Sequence, residues 1–323
     1  MSVPKMFEHL RIPLEAIRSA TNDFAKDNCI GEGGLGKVYK GELLLFKGRT
    51  KVALKRLDRI ALQRNREFWM EIMMLSQYRH ENIVSFLGFC DEKDEKILVY
   101  EYASNNSLDL HLDSKDLTWV QRLSICIGAA RGLEYLHDPA GSQQRKLHRD
   151  VKSANILLDE NWNASIADLG LSTFHQANTN ESVLSTNPVG TMGYCDPSYM
   201  ETGMLTKESD VYSLGVVLFE VLCGRLCIQN NNRRGESFIH LDEINPDSLR
   251  AFATIAYQCL NSDYEKRPSM NDVVKNLEDA RTYQLKKTQY RYKKSEVHKI
   301  EKSNYAKNSI SVIHTKLHFS PII

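Results

Sequence analysis

The 323-residue chain predicts an α+β fold of two unequal parts, a small β-rich one followed by a larger, mostly helical one. Strand-like patterns prevail up to Tyr102, broken by a single strong helical stretch at 64–77. After Ser107 the apolar spacing becomes helical over most of its length. Between the two regimes, Ala103-Ser104-Asn105-Asn106-Ser107 is small and polar, as a connection between lobes would be. No internal repeat is visible.

Each element has a local reason. Residues 13–20 carry a short helical pattern that Thr21-Asn22-Asp23-Phe24 ends. Strand patterns flank a glycine-rich turn at 31–36, and another strand covers Lys51 to Leu57. Within 64–77, Phe68, Ile72 and Leu75 recur at helix spacing. Ile83–Phe89 and Lys96–Tyr102 alternate like paired strands. Thr118-Trp119-Val120-Gln121 fits a capping box, whose hydroxyl and amide satisfy backbone N–H groups reciprocally. A long helix follows to about His137, and further helices are expected at 207–224, 247–260 and 269–283.

An apolar content of 42% with 26% charged residues suits a packed globular chain. Net charge is +1, so the whole chain has no global attraction for nucleic acid, and no nucleic-acid partner is expected. The charge is uneven: residues 281–323 hold 10 Lys/Arg and 2 Asp/Glu, a balance of +8, which leaves −7 for residues 1–280. The seven cysteines form no Cys-x-x-Cys pair, which argues against zinc knuckles and thioredoxin chemistry. Cys223 and Cys227 lie in an apolar helical stretch and are expected as core thiols in a reducing interior. No apolar run reaches 18 residues, residues 1–20 do not read as a signal peptide, and Ser2 excludes N-myristoylation. The chain is therefore expected in the cytoplasm.

Gly31-Glu32-Gly33-Gly34-Leu35-Gly36-Lys37-Val38 fits G-x-G-x-x-G-x-V, in which glycines let a turn approach phosphates and offer them backbone N–H groups. Alone it is a weak signal, because glycine-rich hairpins also arise for structural reasons. A dinucleotide site would need a helix after the glycines and an acidic residue about 20 positions on. Here strand-like Lys37-Val38-Tyr39-Lys40 follows, and position 55 is Lys. Lys55 ends the strand-like Val52-Ala53-Leu54-Lys55, and Glu71 stands among large apolar residues, where a charge is costly unless paired. Each alone reads as a surface charge; their joint spacing reads as a pair.

The most informative stretch is His148-Arg149-Asp150-Val151-Lys152-Ser153-Ala154-Asn155. It puts a candidate base, a phosphate-reaching cation and a metal-binding amide on one short loop. Ile156-Leu157-Leu158 and then Ala167-Asp168-Leu169-Gly170 follow, and the whole reads as a catalytic loop and a metal-binding loop. Asn155 and Asp168 are the hard oxygen ligands that magnesium prefers.

Over residues 25–281 this set resembles the eukaryotic protein kinase family, in a two-lobed fold with a β-rich N-lobe at 25–103 and a helical C-lobe at 104–281. Residues 1–24 would be an N-terminal extension, and residues 282–323 a basic, disordered tail. Within the family the chain is similar to the plant receptor-like serine/threonine kinase branch, which is related to the interleukin-receptor-associated kinases. Ala20-Thr21-Asn22-Asp23-Phe24, Gly36-Lys37-Val38-Tyr39-Lys40-Gly41, His80-Glu81-Asn82-Ile83-Val84, Leu98-Val99-Tyr100-Glu101-Tyr102 and Asp210-Val211-Tyr212-Ser213 carry that match. The resemblance implies ATP and Mg²⁺ as cofactors, protein substrates, and an upstream receptor complex as partner.

The resemblance also implies roles. Lys55 and Glu71 would position the phosphates, Asp150 would be the base, Lys152 would meet the γ-phosphate, and Asn155 and Asp168 would hold metal. Ile30, Gly31, Gly33, Gly36, Val38, Ala53 and Leu157 would surround the nucleotide. Tyr100 would be the gatekeeper, and Glu101, Tyr102 and Ala103 the hinge that meets the adenine. Leu75, Phe86, His148 and Leu169 would stack as an apolar spine. Arg149 suggests control by phosphorylation at Ser182, Ser185 or Thr186, while Thr191 would shape the substrate site. Lys152 and Gly190-Thr191 are similar to the serine/threonine subgroup.

Three departures stand out. Leu169 replaces the usual Phe, a mild change. Ser198 in Asp196-Pro197-Ser198 replaces a Glu that would pair with Arg267, so unless water or a nearby carboxylate takes its place, the activation segment is expected to be less firmly anchored. Only 20 residues, Ile228 to Asp247, separate Cys227 from Ser248, where relatives place a helix and long loops. The last two motivate an alternative, a weakly active pseudokinase serving as a nucleotide-binding scaffold. The tail cluster from Lys286 to Lys294 also has a second reading, contact with an anionic membrane surface.

Overall fold

A computed structural model describes residues 5–34, 36–45, 48–58, 62–138, 144–176, 183–228 and 243–289, with backbone alone at 62–64, 144 and 175–176. Five strands make the antiparallel sheet of the first lobe: β1 (Cys29–Gly33), β2 (Gly36–Leu45), β3 (Gly48–Leu57), β4 (Phe86–Glu92) and β5 (Glu95–Glu101), in the order β1-β2-β3-β5-β4. Ala53 pairs with Tyr100 and Lys55 with Val38, which sets Lys55 on the strand beside the one that leaves the glycine turn. Gly36 has φ +141°, and a Cβ there would lie 2.1 Å from the Arg56 carbonyl oxygen, so this position tolerates no side chain.

Helices cover both faces of the sheet. α1 (Leu14–Thr21) lays Leu14 and Ile17 on Tyr39, Val52, Leu54 and Val99. α2 (Leu62–Gln77) puts Phe68, Ile72 and Leu75 into a larger apolar cluster that runs on into the second lobe. Strand β4 starts at Phe86 and not at Ile83, because Ile83 turns away to bridge Ile166 of the second lobe.

The second lobe is built on α3 (Trp119–His137), α5 (Lys207–Cys223), α6 (Pro246–Cys259) and a last helix, α7, over 270–289. The expected capping box forms: Thr118 Oγ1 accepts from the Gln121 N–H, and the Thr118 N–H donates to Gln121 Oε1. Small pairs β6 (Gln144–Leu147) with β9 (Thr173–Gln176), and β7 (Ile156–Leu158) with β8 (Ala164–Ile166), carry the chemistry-bearing loops between them. Leu184–Ser185 is β10, Pro197–Thr202 is α4, and Met204–Leu205 is β11. Leu75, Phe86 and Leu169 join one buried cluster, and buried His148 donates from Nε2 to the Ala167 carbonyl at 3.0 Å.

Three further expectations are corrected. The tail expected from 282 begins as a continuation of α7 to 289, where Gln284 accepts from the Asn245 N–H and Lys287 donates to the Ile244 carbonyl; residues 290–323 lie outside the described residues. Cys223 and Cys227 are exposed and not core thiols, because α5 ends at Cys223 with Gly224 in a left-handed cap. Residues 229–242 of the shortened segment lie outside the described residues.

The third concerns Arg267, which is not left alone by Ser198. Its guanidinium takes Asp196 in a two-pronged pair, at 2.7 and 2.9 Å, with both side chains buried. Asp196 also caps α4 by accepting from the Ser198 N–H. The carboxylate thus stands two residues earlier than expected, and the segment is anchored. Asp196→Ala is therefore expected to cost about 3–5 kcal/mol in denaturant unfolding, because it leaves a buried guanidinium unpaired. Ser198→Ala should stay within about 0.5 kcal/mol of the parent.

Candidate active site

The glycine turn closes one side of the site. A Cβ added at Gly33 or Gly34 would meet nothing within 4 Å, so internal packing does not account for glycine at these positions. Glycine-lined space of this kind suits a ligand approaching the backbone. Gly31 and Ile30 lie on β1 beside it, half-buried. Val38, Ala53 and Leu157 are also half-buried, whereas their chain neighbours Tyr39, Val52, Leu54, Ile156 and Leu158 are fully buried. The three apolar side chains that the resemblance put around a base are thus left accessible on β2, β3 and β7.

Lys55 lies at the centre. Its Nζ is 3.2 Å from Glu71 Oε2 on α2 and 2.6 Å from Asp168 Oδ1 on the loop after β8. Burial would lower its pKa, but Asp168 and then Glu71 outweigh burial and raise it above the ordinary lysine value. Burial also raises the Glu71 carboxyl, against the pull of the Lys55 ammonium. Tyr100 completes this set by donating to Glu71 Oε1 at 2.6 Å, and its own pKa is raised by burial and by Glu71, so the phenol remains a donor. The residue expected as a gatekeeper therefore also grips Glu71, a contact that spacing alone does not reveal.

The loop after β6 supplies the remaining groups. Asp150 Oδ1 accepts from Thr191 Oγ1 at 2.6 Å, and Asp150 Oδ2 accepts from Lys152 Nζ at 2.8 Å. Lys152 also reaches Thr191 Oγ1 at 2.9 Å, which closes a triangle of carboxylate, ammonium and hydroxyl. Asn155 donates its amide to the Asp150 backbone carbonyl at 2.8 Å and to Oδ2 at 3.2 Å, which leaves the amide oxygen for another partner. Arg149 (φ 73°) and Asp168 (φ 64°) both hold left-handed backbone, a strain that concentrates at sites whose geometry is over-determined.

The support for that strain comes from Asp210 on α5. Its buried carboxylate accepts from the backbone N–H groups of His148 and Arg149, both at 2.8 Å, and from His137 Nε2 at 2.9 Å. Burial would raise its pKa, but these donors, His137 first, hold it below the ordinary value. The sequence placed Asp210 in a matching motif without a role. Its signal is an acidic residue, beside Glu208, in the first turn of a helix that is mostly apolar beyond it.

The hinge leaves one donor open. The Glu101 N–H donates to Ser85 O and the Tyr102 N–H to Lys51 O, whereas the Ala103 N–H has no acceptor among the described residues. For a metal, the donor set is the amide oxygen of Asn155 and the carboxylate of Asp168. Among the described residues no group of three His, Cys, Asp or Glu could hold an ion. Two hard oxygens with room for phosphate and water suit Mg²⁺, which keeps much of its shell.

Among the regulatory candidates, Arg149 Nη2 donates to Tyr199 Oη at 2.7 Å and the Asn187 carbonyl at 3.0 Å, and it lies 3.5 Å from Thr186 Oγ1. Ser185 sits on β10, exposed. Ser182 lies outside the described residues.

Comparison with known proteins agrees with this geometry. Residues 24–277 match a family described as protein tyrosine and serine/threonine kinase. The chain is 47% identical over 293 residues to receptor-like protein kinase HERK 1 of Arabidopsis thaliana, covering 84% of this chain and 35% of that protein. It is 46% identical over 289 residues to THESEUS 1, covering 82% and 33%, and 44% identical over 293 residues to ANXUR2, covering 84% and 33%, both from the same plant. The chain thus spans about a third of the length of the curated relatives it matches.

The depressed pKa of Asp210 carries a pH prediction. Its stabilising effect is fully present above the unfolded value of 3.8 and is lost as pH falls through the lower folded value. Denaturation midpoints measured from pH 6 downward should fall more steeply in the wild type than in Asp210→Asn, which lacks this titration.

Proposed function

Because the chain belongs to the protein tyrosine and serine/threonine kinase family, matched over residues 24–277, we propose that it transfers the γ-phosphoryl group of ATP to serine or threonine hydroxyls of protein substrates. The observation that carries this reading is Lys55, an ammonium held between Glu71 and an Asp168 that is 113 residues away in sequence. Lys55 and Glu71 fix the α- and β-phosphates. Asn155 and Asp168 would hold Mg²⁺, which would neutralise charge on the phosphates. Asp150 orients the attacking hydroxyl and takes its proton, and Lys152 faces the charge that develops on the transferred group. The open Ala103 N–H meets the adenine edge, with Val38, Ala53 and Leu157 against its faces.

Serine/threonine selectivity rests on the triangle of Asp150, Lys152 and Thr191. Lys152 stands 2.8 Å from Asp150 and 2.9 Å from Thr191 Oγ1, and Lys152 with Gly190-Thr191 is similar to the serine/threonine subgroup. Thr186, beside Arg149, is the best-placed acceptor for a regulatory phosphate, since about −1.5 to −2 charge there would meet the guanidinium. Ser185, exposed on β10, is a weaker candidate. The scaffold alternative drew on Ser198 and the shortened segment, and Asp196 removes the first of these motives.

The relatives are plant receptor-like kinases, which supports work in a receptor complex as the intracellular phosphotransfer part. Among the described residues no helix is long and apolar enough to cross a membrane. Attachment to the plasma membrane through the basic tail is part of the same proposal, and salt-insensitive or absent sedimentation with anionic liposomes would remove it.

Radiolabelled ATP with Mg²⁺ should label the wild type on serine and threonine. Asp150→Asn should lose about 100-fold or more in rate while keeping its nucleotide-induced rise in melting temperature. If both proteins fail to incorporate phosphate, the catalytic reading falls. Phosphotyrosine as the main product would overturn the selectivity.

A further inference from the structure

Residues ahead of α1 do more than precede the lobe. Lys5–Leu10 forms 3₁₀ turns, after which Arg11 bridges Phe89 in a parallel sense and the Ile12 N–H donates to the Phe89 carbonyl at 2.8 Å. The segment therefore lies along the free edge of β4 like a short extra strand. The approach is close: a Cβ at Gly88 would lie 2.4 Å from the Leu10 carbonyl oxygen and 2.7 Å from Ile12 Cδ1. Phe7 is buried in the cluster that also holds Phe68 and Phe89.

Two independent routes lead from this strap to Glu71. The first is apolar. Phe89, pinned by Ile12, packs edge-on against Phe68 and Trp69 of α2, with ring centroids 6.0 and 5.7 Å away. The second is polar. Arg11 Nη2 donates to the Asp91 carbonyl at 3.1 Å, and the Asp91 carboxylate holds Lys96 Nζ at 2.8 Å. That ammonium lies 4.7 Å from the Phe68 ring centroid and 5.6 Å from that of Trp69. Both routes end on the aromatic pair that stands three and two residues before Glu71 on the same helix. A helix transmits such support as a rigid body.

We propose that the strap Phe7–Ile12 is a positioning element for phosphotransfer, pressing β4 onto α2 so that Glu71 stays on Lys55. It touches neither nucleotide nor substrate and acts through Phe89, Lys96 and the Phe68–Trp69 pair. Release of the strap would let α2 swing, separate Glu71 from Lys55 and loosen the hold on the phosphates. The proposal rests on the kinase reading for its kinetic consequence and stands on geometry for its structural one.

The test uses the full chain carrying Phe7→Ala, Phe7→Leu or Arg11→Ala, with two readouts. Steady-state kinetics, well below the melting temperature of each protein, should show Phe7→Ala raising KM for ATP and lowering kcat, about tenfold in kcat/KM, with the peptide KM within twofold of wild type. Phe7→Leu should recover most of the loss. Arg11→Ala, at a half-buried position outside the apolar cluster, should give a smaller shift in the same direction. Amide hydrogen exchange should quicken across 65–77 in Phe7→Ala and Arg11→Ala but not across α5. A mere loss of stability would instead leave KM for ATP unchanged. Unaltered exchange in α2, with ATP kinetics within twofold for both alanine variants, overturns the proposal. An inactive wild type would sink the kinase reading alone, and the exchange data would still decide whether the strap governs α2.

Discussion

A single ammonium organises this molecule. Lys55 stands on the sheet of the first lobe, Glu71 on the helix that packs against it, and Asp168 on a loop of the second lobe, and the three meet within 3.2 Å. Each is expensive to bury alone, and their mutual attraction offsets desolvation only while the geometry holds. The arrangement therefore makes the relative placement of α2, the sheet and the second lobe part of one electrostatic balance. Tyr100 adds a fourth group, since its phenol satisfies the Glu71 oxygen that Lys55 does not reach.

The second lobe solves a parallel problem with one buried carboxylate. Asp210 gathers two backbone N–H groups and an imidazole, and so holds Arg149 in a backbone conformation that an L-residue rarely adopts. Asp150 and Lys152 sit one and three residues beyond it, and their mutual contact and that with Thr191 follow from the same fixed loop. Asp196 and Arg267 then tie the segment that carries Thr191 to the helical core. Three buried anions, at 71, 196 and 210, thus convert sequence-distant loops into one rigid constellation.

Much of this was legible in the residues. The glycine turn, the Lys55–Glu71 spacing and the string from His148 to Asn155 constrain one another, because each has a role only if the others are present. Helices α1, α2, α3, α5 and α6 followed from apolar period and caps, since tertiary packing there agrees with local preference. What escaped was set by contacts between distant segments. Ser198 looked like a lost anchor because a one-dimensional motif fixes which position carries the charge, whereas the buried guanidinium requires only a carboxylate within reach, and Asp196 provides it. Cys223 and Cys227 read as core thiols from their apolar neighbours, whereas Cys223 is the last residue of α5 and Cys227 lies beyond it, and both face solvent. Ile83 was assigned to a strand that begins three residues later, because its partner, Ile166, lies in the other lobe.

The central claim is that Lys55, Glu71, Asn155 and Asp168 converge to hold a metal-bound triphosphate, and calorimetric titration with ATP tests it most directly. Wild type should bind one ATP per chain in the presence of Mg²⁺ and more weakly without it, while Lys55→Met and Asp168→Asn should each lose about tenfold or more in affinity. Equal binding by all three proteins, with or without Mg²⁺, would contradict the account.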